Sequence, residues 1–476
     1  MVLPANWLRQ SIPALVVAGS MVLGTGMASG QPLFGALDNA PPPQLRFSAG
    51  KPNTPIYAGT AVTIAGQGFQ PGQKVSLLYG TTPLVTDGVT ADADGRISAR
   101  ITVPDDAAVG NHPILVVAQG PYNASIASLK VSPQIALSGQ SSYDVTDSGV
   151  ARGLYQSAYS ARNNALFVTA AVGRPPVRQS ELLRLDPQTL KVVARVTPQP
   201  APAPAARAGA QAPREGGVYA VYGVGVDDVN ETVWVTNSRQ NTVAVYRQSD
   251  LSLVRQFDPG TVNHARDVAI DASLAKAYVS ATFRPEVVVF NTRRPEVAKR
   301  IEVPSRIRGG IFSAASLSLD PEAHRLYVVS NTTNEVAVIN TRTDQVEKVH
   351  PVPGARGAIG VTHDPRTGRI FVAAQGSDNL VVLDGESGKL VASTPVGAGA
   401  LNAVFDPAHR QVYVVNRGAG TVTVTDTDGR IVANLGPVPL GNHVSTDGRG
   451  TVFVVDKSAG VRGAETDNVL RIRPRP

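Results

Sequence analysis

Two histidines and the arginines near them are the residues of this chain best able to bind and move charge at neutral pH. His264 and His443 each enter a short predicted strand, and either could lie beside Arg266 or Arg308. A histidine can act as acid or base while a guanidinium holds a carboxylate or phosphate, so this pairing could handle an anionic substrate. A structural or surface role for both histidines is the simpler interpretation.

Motifs that carry catalysis or hold a cofactor are missing from the sequence. There is no Ser/His/Asp order, no glycine-rich loop that leads into a helix and no spacing typical of metal ligands. Asp92 and Asp94 lack the remaining ligands of a calcium loop, so we interpret them as part of a hairpin turn. The chain also has no cysteine, which excludes disulfides and thiolate metal sites. We therefore assign no catalytic residue, no metal and no cofactor.

Positive charge gathers in loops that we place on one face of the predicted fold, which we call the top. The formal net charge is +7 at pH 7, and excess positive charge favours anionic partners. A ring of arginines around a channel mouth would focus that charge on an anion, although arginines in polar loops often simply face water. The tentative ligand-binding residues are Arg239, His264, Arg266, Arg306, Arg308, Arg356, Arg417 and His443.

Nucleic acid is one anionic ligand that this charge could attract. Binding of single strands also uses aromatic side chains on which bases stack. Aromatic residues make up only 5% of the chain, and the top loops offer only Phe283, Phe312 and Tyr222. No recognition helix or zinc module is visible, so DNA binding is kept as an alternative.

A repeated pattern indicates which elements must position these residues. An aspartate turn, a strand led by an aromatic residue, a polar turn and further strands recur seven times. After one longer first gap the pattern returns every 40 to 49 residues, and its lead aromatics are Phe167, Trp234, Tyr278, Tyr327, Phe371, Tyr413 and Phe453. Repeats of this length with four short strands are typical of β-propeller blades. The sequence therefore predicts an all-β, seven-bladed β-propeller over residues 133–476.

The ends of this repeat array predict how the ring closes. The last repeat has three strands, at residues 443–446, 451–455 and 468–472, and then the chain stops. A propeller that did not close would leave bare sheet edges. We therefore expect a segment within residues 135–146 to supply the missing outer strand. Residues 197–217, rich in proline and alanine, are predicted to form a mobile insertion between the first two blades.

The N-terminal part divides into three predicted segments. Residues 1–30 have a positive start, a short apolar run and small residues, which is typical of a cleavable signal peptide. A proline-rich linker follows at residues 31–43, and short alternating strands over residues 44–132 predict a small β-sandwich. We expect a periplasmic or secreted protein, without membrane insertion and monomeric.

Two resemblances add to this interpretation. The repeats resemble the YVTN-repeat, YncE-like seven-bladed propellers of exported bacterial proteins, most closely at Trp234-Val235-Thr236-Asn237. Residues 66–72, followed by the turn at residues 92–95, resemble immunoglobulin-like modules of exported bacterial proteins. The first resemblance implies a binding role, which in that family includes DNA binding. It also places the chain near propeller lactonases, lyases and haem- or quinone-linked enzymes, and it does not choose among them.

The leading hypothesis is an exported, non-catalytic binding or scaffold propeller whose basic top face takes an anionic ligand or partner. The first alternative is a lactonase-like hydrolase or lyase, with His264 or His443 as base and arginines holding an anionic small molecule. DNA binding is the second alternative. A structural envelope protein that docks a protein partner is the third.

Overall fold

The computed structural model describes residues 40–51, 54–203 and 216–475, and nearly all regular structure in these ranges is β-strand. The predicted signal peptide, most of the predicted linker and the centre of the predicted insertion lie outside the described residues. The described ends of the insertion are paired, because Ala201 N–H donates to the Gly217 carbonyl at 2.9 Å. No helix in the described ranges is long and apolar enough to cross a membrane.

Two antiparallel sheets form the N-terminal block and share one apolar core. Their strands alternate buried and more exposed residues, as Ala61–Gln67 does, which is the pattern of strands with one face in a core. Ile64, Leu77 and Ile114 are fully buried between the sheets. The strands are Gln44–Ser48, Ala61–Gln67 and Arg96–Thr102 in one sheet, and Lys74–Tyr79, Thr82–Pro83, Val89–Thr90, Gly110–Gln119 and Asn123–Val131 in the other. The immunoglobulin-like assignment of this block stays a prediction.

Seven four-stranded antiparallel sheets follow and confirm the predicted propeller. Each of the first six blades is continuous in sequence, and its strands run from the innermost to the outermost. Blade one contains Leu154–Ser160, Ala165–Val172, Gln179–Leu185 and Val192–Val196. Blade two contains Val224–Asp227, Thr232–Asn237, Thr242–Arg247 and Leu253–Gln256. Blade three contains Ala265–Asp271, Lys276–Ala281, Glu286–Asn291 and Glu296–Glu302.

The remaining continuous blades repeat this order. Blade four contains Ala314–Asp320, Arg325–Ser330, Glu335–Asn340 and Gln345–Pro351. Blade five contains Ala358–Asp364, Arg369–Ala374, Asn379–Asp384 and Leu390–Pro395. Blade six contains Ala400–Asp406, Gln411–Asn416, Thr421–Thr425 and Ile431–Leu435. The lead aromatics of all seven blades are buried between sheets, which explains why an aromatic residue recurs at this position.

Blade seven closes the ring with strands from both ends of the propeller. Gly441–Thr446, Val452–Asp456 and Asp467–Pro474 are its three inner strands, and Tyr143–Ala151 pairs with the last of them as the outer strand. A closing strand from before blade one is thus confirmed, but it extends beyond the predicted 135–146. Residues 135–138 instead run beside blade six, where Asn434 Nδ2 donates to the Ile135 carbonyl at 3.0 Å. A 3₁₀ turn, Gln140–Ser142, and a short helix, Ala459–Arg462, complete the described elements.

The N-terminal block docks on the top loop between the second and third strands of blade five. Lys130 Nζ donates to Asp378 Oδ1 at 2.8 Å, and Ser132 Oγ donates to Asp378 Oδ2 at 2.7 Å. Asp378 is almost fully buried, so losing either partner would leave its charge poorly compensated. Asp378 Oδ1 also accepts the Gly399 N–H at 2.7 Å, and the Gly399 carbonyl accepts the Arg417 N–H at 3.0 Å. The docked block therefore supports the loop that carries Arg417.

Candidate functional site

The inner strands of the blades lie in one register around the channel, so equivalent positions can be compared. Their first residues are Leu154, Ala265, Ala314, Ala358, Ala400 and Gly441. In blade two the equivalent residues come just before Val224–Asp227. Tyr222 holds the second position there, and its N–H donates to the Thr236 carbonyl at 2.9 Å. The second and third positions of these strands supply different kinds of side chain to the top of the channel.

The third position holds adjacent blades together. In blades one, three, six and seven its side chain accepts a backbone N–H from the inner strand of the following blade. The pairs are Gln156 with Val224 at 3.1 Å, Asp267 with Leu317 at 3.0 Å, Asn402 with Val444 at 3.1 Å and His443 with Ser157 at 3.3 Å. Blades two and five have Gly223 and Gly360 here, where an added Cβ would meet the next strand's backbone closer than 3.0 Å.

His443 therefore occupies a position whose equivalents serve structure. Its Nδ1 accepts the Ser157 N–H, and burial together with the charge of Arg266 lowers its pKa to about 3. A group with that pKa is neutral at pH 7 and is a weak base. The geometry agrees with the simpler interpretation of His443 given by the sequence.

The second position differs between two parts of the ring. Blades seven, one, two and three carry Asn442, Tyr155, Tyr222 and Arg266, whereas blades four, five and six carry Ala315, Ile359 and Leu401. Tyr155 and Tyr222 meet edge to face, with ring centroids 5.0 Å apart. The polar and aromatic part of the channel mouth is therefore confined to one arc of the ring.

Arg417 and Lys457 form the first of two cationic poles on this arc. They occupy equivalent positions in the top loops of blades six and seven, and both are half-buried. Lys457 Nζ lies 5.1 Å from the centroid of the Tyr155 ring, and Arg417 Nη1 donates to Asn442 Oδ1. Burial and the neighbouring Arg417 lower the pKa of Lys457 to about 8, and burial also lowers the pKa of Arg417. Two cations are thus held together where both are partly removed from water.

Arg239 and Arg266 form the second cationic pole, in blades two and three. The guanidinium of Arg239 lies 6.0 Å from the centroid of the Tyr222 ring. His264 lies near both arginines, and burial followed by these two charges lowers its pKa, so its imidazole is neutral at pH 7. Its backbone has a positive φ of 43°, and its ring lies 5.0 Å from that of Phe283, which is 64% exposed.

We call Tyr155, Tyr222, Arg239, His264, Arg266, Arg417 and Lys457 together the mouth cluster. Within the described residues, none of its four cations forms an ion pair with a carboxylate. Of the nearby carboxylates, buried Asp267 accepts the Leu317 N–H, and the charge of Arg266 opposes the rise that burial causes in its pKa. Asp467 accepts the Gly153 and Ala459 N–H groups, and Asp456 accepts the Leu440 N–H and the Ser458 hydroxyl. The cations therefore keep donors for an external anion.

Three predicted arginines lie outside this cluster. Arg306, Arg308 and Arg356 are exposed, and we call them the rim arginines. Arg306 reaches outward, where its Nη1 donates to the Val349 carbonyl on the outer strand of blade four at 3.3 Å. Arg356 lies beside the blade-five loop that the N-terminal block contacts, where its N–H donates to Ser377 Oγ at 2.9 Å. The structure thus brings together Arg239, His264, Arg266 and Arg417 from the predicted set, with His443 just below them.

The opposite end of the channel has the opposite charge. A cavity of about 490 Å³ at that end is lined by the acidic residues Asp228, Asp320, Glu322 and Asp447. His363 also lines it, and burial lowers the pKa of this histidine despite the nearby Asp320 carboxylate. Among the residues that the structure describes, no lysine or arginine lines this cavity, so its charged lining is acidic.

Sequence reasoning missed Tyr155 and left Lys457 and Asn442 out of the tentative site. An alignment of the inner strands would have placed Tyr155 at the same position as Tyr222 and Arg266. Phe312, which the sequence offered as a stacking residue, is fully buried, so Phe283 is the exposed one. Among the described residues, no three acidic or histidine side chains are grouped in a way that could hold a metal ion.

Comparison with known proteins supports the fold. No protein-family model matches the sequence, and no curated protein matches it. The structure is similar to hydrazine synthase from Kuenenia stuttgartiensis, with a TM-score of 0.54 and 15% identity over 68% of this chain and 96% of that chain. It is also similar to a catalytically inactive virginiamycin B lyase from Staphylococcus aureus with quinupristin, with a TM-score of 0.52 and 11% identity over 70% and 99%.

A streptogramin B lyase structure gives a TM-score of 0.51 and 10% identity over 70% of this chain and 98% of that chain. At such identities the likeness concerns architecture alone, because unrelated functions share propeller folds. The chain therefore has a β-propeller fold, as its seven four-stranded sheets show and these likenesses support.

Proposed function

We propose that this protein binds an anionic ligand at the mouth cluster and that binding is its primary activity. The observation that carries the proposal is the pair Arg417 and Lys457. Two like charges that are half-buried side by side repel each other, and water screens that repulsion less than at an exposed surface. A bound anion would relieve the repulsion and restore the pKa of Lys457 toward its ordinary value.

The two histidines do not favour the hydrolase or lyase alternative in which one of them acts as base. The enzyme alternative needs a general base, and the pKa values of both His264 and His443 are lowered by burial and by neighbouring arginines. His443 also has Nδ1 occupied by the Ser157 N–H. The lyases among similar structures support the fold, and their substrates are not transferred to this chain.

A small anion fits the site better than a nucleic acid. Phe283 is the exposed aromatic residue next to the cations, whereas binding of single strands uses several stacking aromatics along a groove. The rim arginines are the part of the top face that would meet a long polyanion. We keep membership of the YVTN-repeat family, export through a signal peptide and an immunoglobulin-like N-terminal module as further parts of this proposal.

Calorimetric titration of the full chain tests the proposal. The titrants are inorganic phosphate, small carboxylates and single-stranded oligonucleotides, at fixed ionic strength. We expect at least one small anion to bind, and we expect the double variant Arg417→Gln/Lys457→Gln to weaken that binding by roughly 100-fold while melting normally. Binding of oligonucleotides alone, lost on changing the rim arginines instead, would support the nucleic-acid alternative. Absence of any anion binding would contradict the proposal.

A further inference from the structure

The two cationic poles lie on either side of the Tyr155 and Tyr222 rings. This arrangement indicates the shape of the ligand as well as its negative charge. Lys457 lies over the Tyr155 ring, Tyr155 packs edge to face against Tyr222, and Arg239 lies over the Tyr222 ring. These three contacts form a continuous row across blades seven, one and two. The poles therefore stand at opposite ends of the tyrosine pair.

The two poles consist of different cations from different blades, although Arg266 of the second pole also acts on His443 in blade seven. Arg417 is the cation that lowers the pKa of Lys457, while Arg239 and Arg266 act on His264. A single small anion bound at Arg417 and Lys457 would interact more weakly with Arg239, beyond the tyrosine pair, because charge interactions fall with distance. A ligand with two separated negative groups would neutralise both poles at once.

We propose that the ligand is a dianion whose two anionic groups are joined by an apolar or aromatic segment. This inference rests on the proposed function and specifies the ligand of the same site. One anionic group lies at Arg417 and Lys457, and the other lies at Arg239 and Arg266. The joining segment lies against Tyr155, whose ring the buried Tyr222 supports, and exposed Phe283 adds apolar surface at the second pole.

The row also explains why the tyrosines occur in this arc. An aromatic face is attractive to a cation, so each tyrosine steadies the cation above it. Tyr222 is only 7% exposed, so the apolar surface open to a ligand comes from the partly exposed Tyr155 and the exposed Phe283. In blades four, five and six the equivalent positions are Ala315, Ile359 and Leu401, which offer neither a charge nor a ring.

A chain-length series tests the two-pole ligand directly. The full chain is titrated with α,ω-alkanedioates from butanedioate to dodecanedioate, and with the alkanoate of each matching length, at constant ionic strength. We expect an optimum length at which the dioate binds about ten-fold tighter than its matched alkanoate, because a second charge-assisted contact is added. Arg239→Gln and Arg417→Gln should each reduce the dioate to about the affinity of the alkanoate. Arg308→Gln is the matched control and should leave both affinities unchanged.

The outcomes of the series distinguish failure of the dianion inference from failure of the proposed anion site. Equal binding of dioates and alkanoates at every length would overturn the dianion inference while leaving an anion site in place. A dioate preference that persists in both Arg239→Gln and Arg417→Gln would also overturn it. No binding by any probe would overturn the proposed function together with the inference. If Arg417→Gln fails to fold, Lys457→Gln tests the same pole.

Discussion

The mouth cluster and the rim arginines belong to the same face and contain the same kinds of side chain, yet they lie in different environments. Arg417 and Lys457 are half-buried, lie next to each other and have lowered pKa values. Arg306, Arg308 and Arg356 are exposed to water. Water screens the exposed charges, so they contribute little by themselves. The comparison indicates that burial without a counterion, rather than the number of arginines, marks the candidate site.

The same comparison separates the two predicted histidines. His264 lies near both arginines of the second pole, and its backbone is in the left-handed region. His443 lies one layer deeper and accepts a backbone hydrogen bond, as Gln156, Asp267 and Asn402 do in their blades. Two residues of one type, both near the channel, thus belong to different layers of the molecule.

The largest expected effect is on the first pole. The double variant Arg417→Gln/Lys457→Gln should weaken anion binding by roughly 100-fold, since hydrogen bonds to charged groups contribute about 1.5–3 kcal/mol each. Titration calorimetry measures the change, and the melting temperature serves as the folding control. A loss of less than about three-fold would place the ligand elsewhere.

The next effect concerns pH. Lys457 has a pKa of about 8 in the folded protein, against an ordinary value of 10.5. Anion affinity should therefore fall roughly ten-fold between pH 7 and pH 9, as this amine loses its proton. From the same group, the stability of the free protein should rise between pH 8 and 10.5, because there the unfolded chain binds more protons. The variant Lys457→Arg should remove the pH dependence of binding, and its persistence would assign the effect to another group.

Changing His443 should affect stability more than binding. His443→Leu leaves the Ser157 N–H without its acceptor, which should lower the free energy of unfolding by about 1 kcal/mol. His443→Gln retains an acceptor, as Gln156 does in blade one, and should recover most of that loss. Denaturant unfolding measures both variants. If both variants are as stable as the native chain but lose anion binding, His443 belongs to the site after all.

The smallest effect is expected at the rim. The triple variant Arg306→Gln/Arg308→Gln/Arg356→Gln should change small-anion affinity by less than about two-fold at physiological ionic strength, where distant exposed charges are screened. The same titration at low salt should show a slightly larger change. A loss comparable to that of the first-pole variant would mean that the distinction between mouth and rim is wrong.

Much of the fold could be predicted because its determinants repeat. Each lead aromatic, such as Trp234 or Tyr413, fills the same place between sheets, so spacing alone reveals the blades. The prediction of where the closing strand begins and ends was less accurate, because Tyr143–Ala151 consists largely of small and polar residues without a strong alternating pattern. Pairing with Asp467–Pro474 determines where that strand lies, and this contact is distant in sequence.

The candidate site was less predictable for a physical reason. Repeat spacing assigns a loop to a face, but it does not say whether a side chain points toward the channel or into water. Arg308 and Arg417 were therefore equivalent in the sequence, although only Arg417 is held inward, by Asn442. Tyr155 stands in an inner strand that resembles its neighbours, and its importance appears only when Tyr222 and Lys457 are seen against it.

The most direct test of the account is the pKa of Lys457 itself, measured by NMR titration of a lysine-labelled protein with and without a binding anion. Lys457→Arg identifies the resonance. The account predicts a pKa of about 8 in the free protein and a clear rise once the anion is bound, because a nearby negative charge favours the protonated amine. An ordinary pKa that does not move on addition of any anion would contradict the claim that this pair of cations is the binding site.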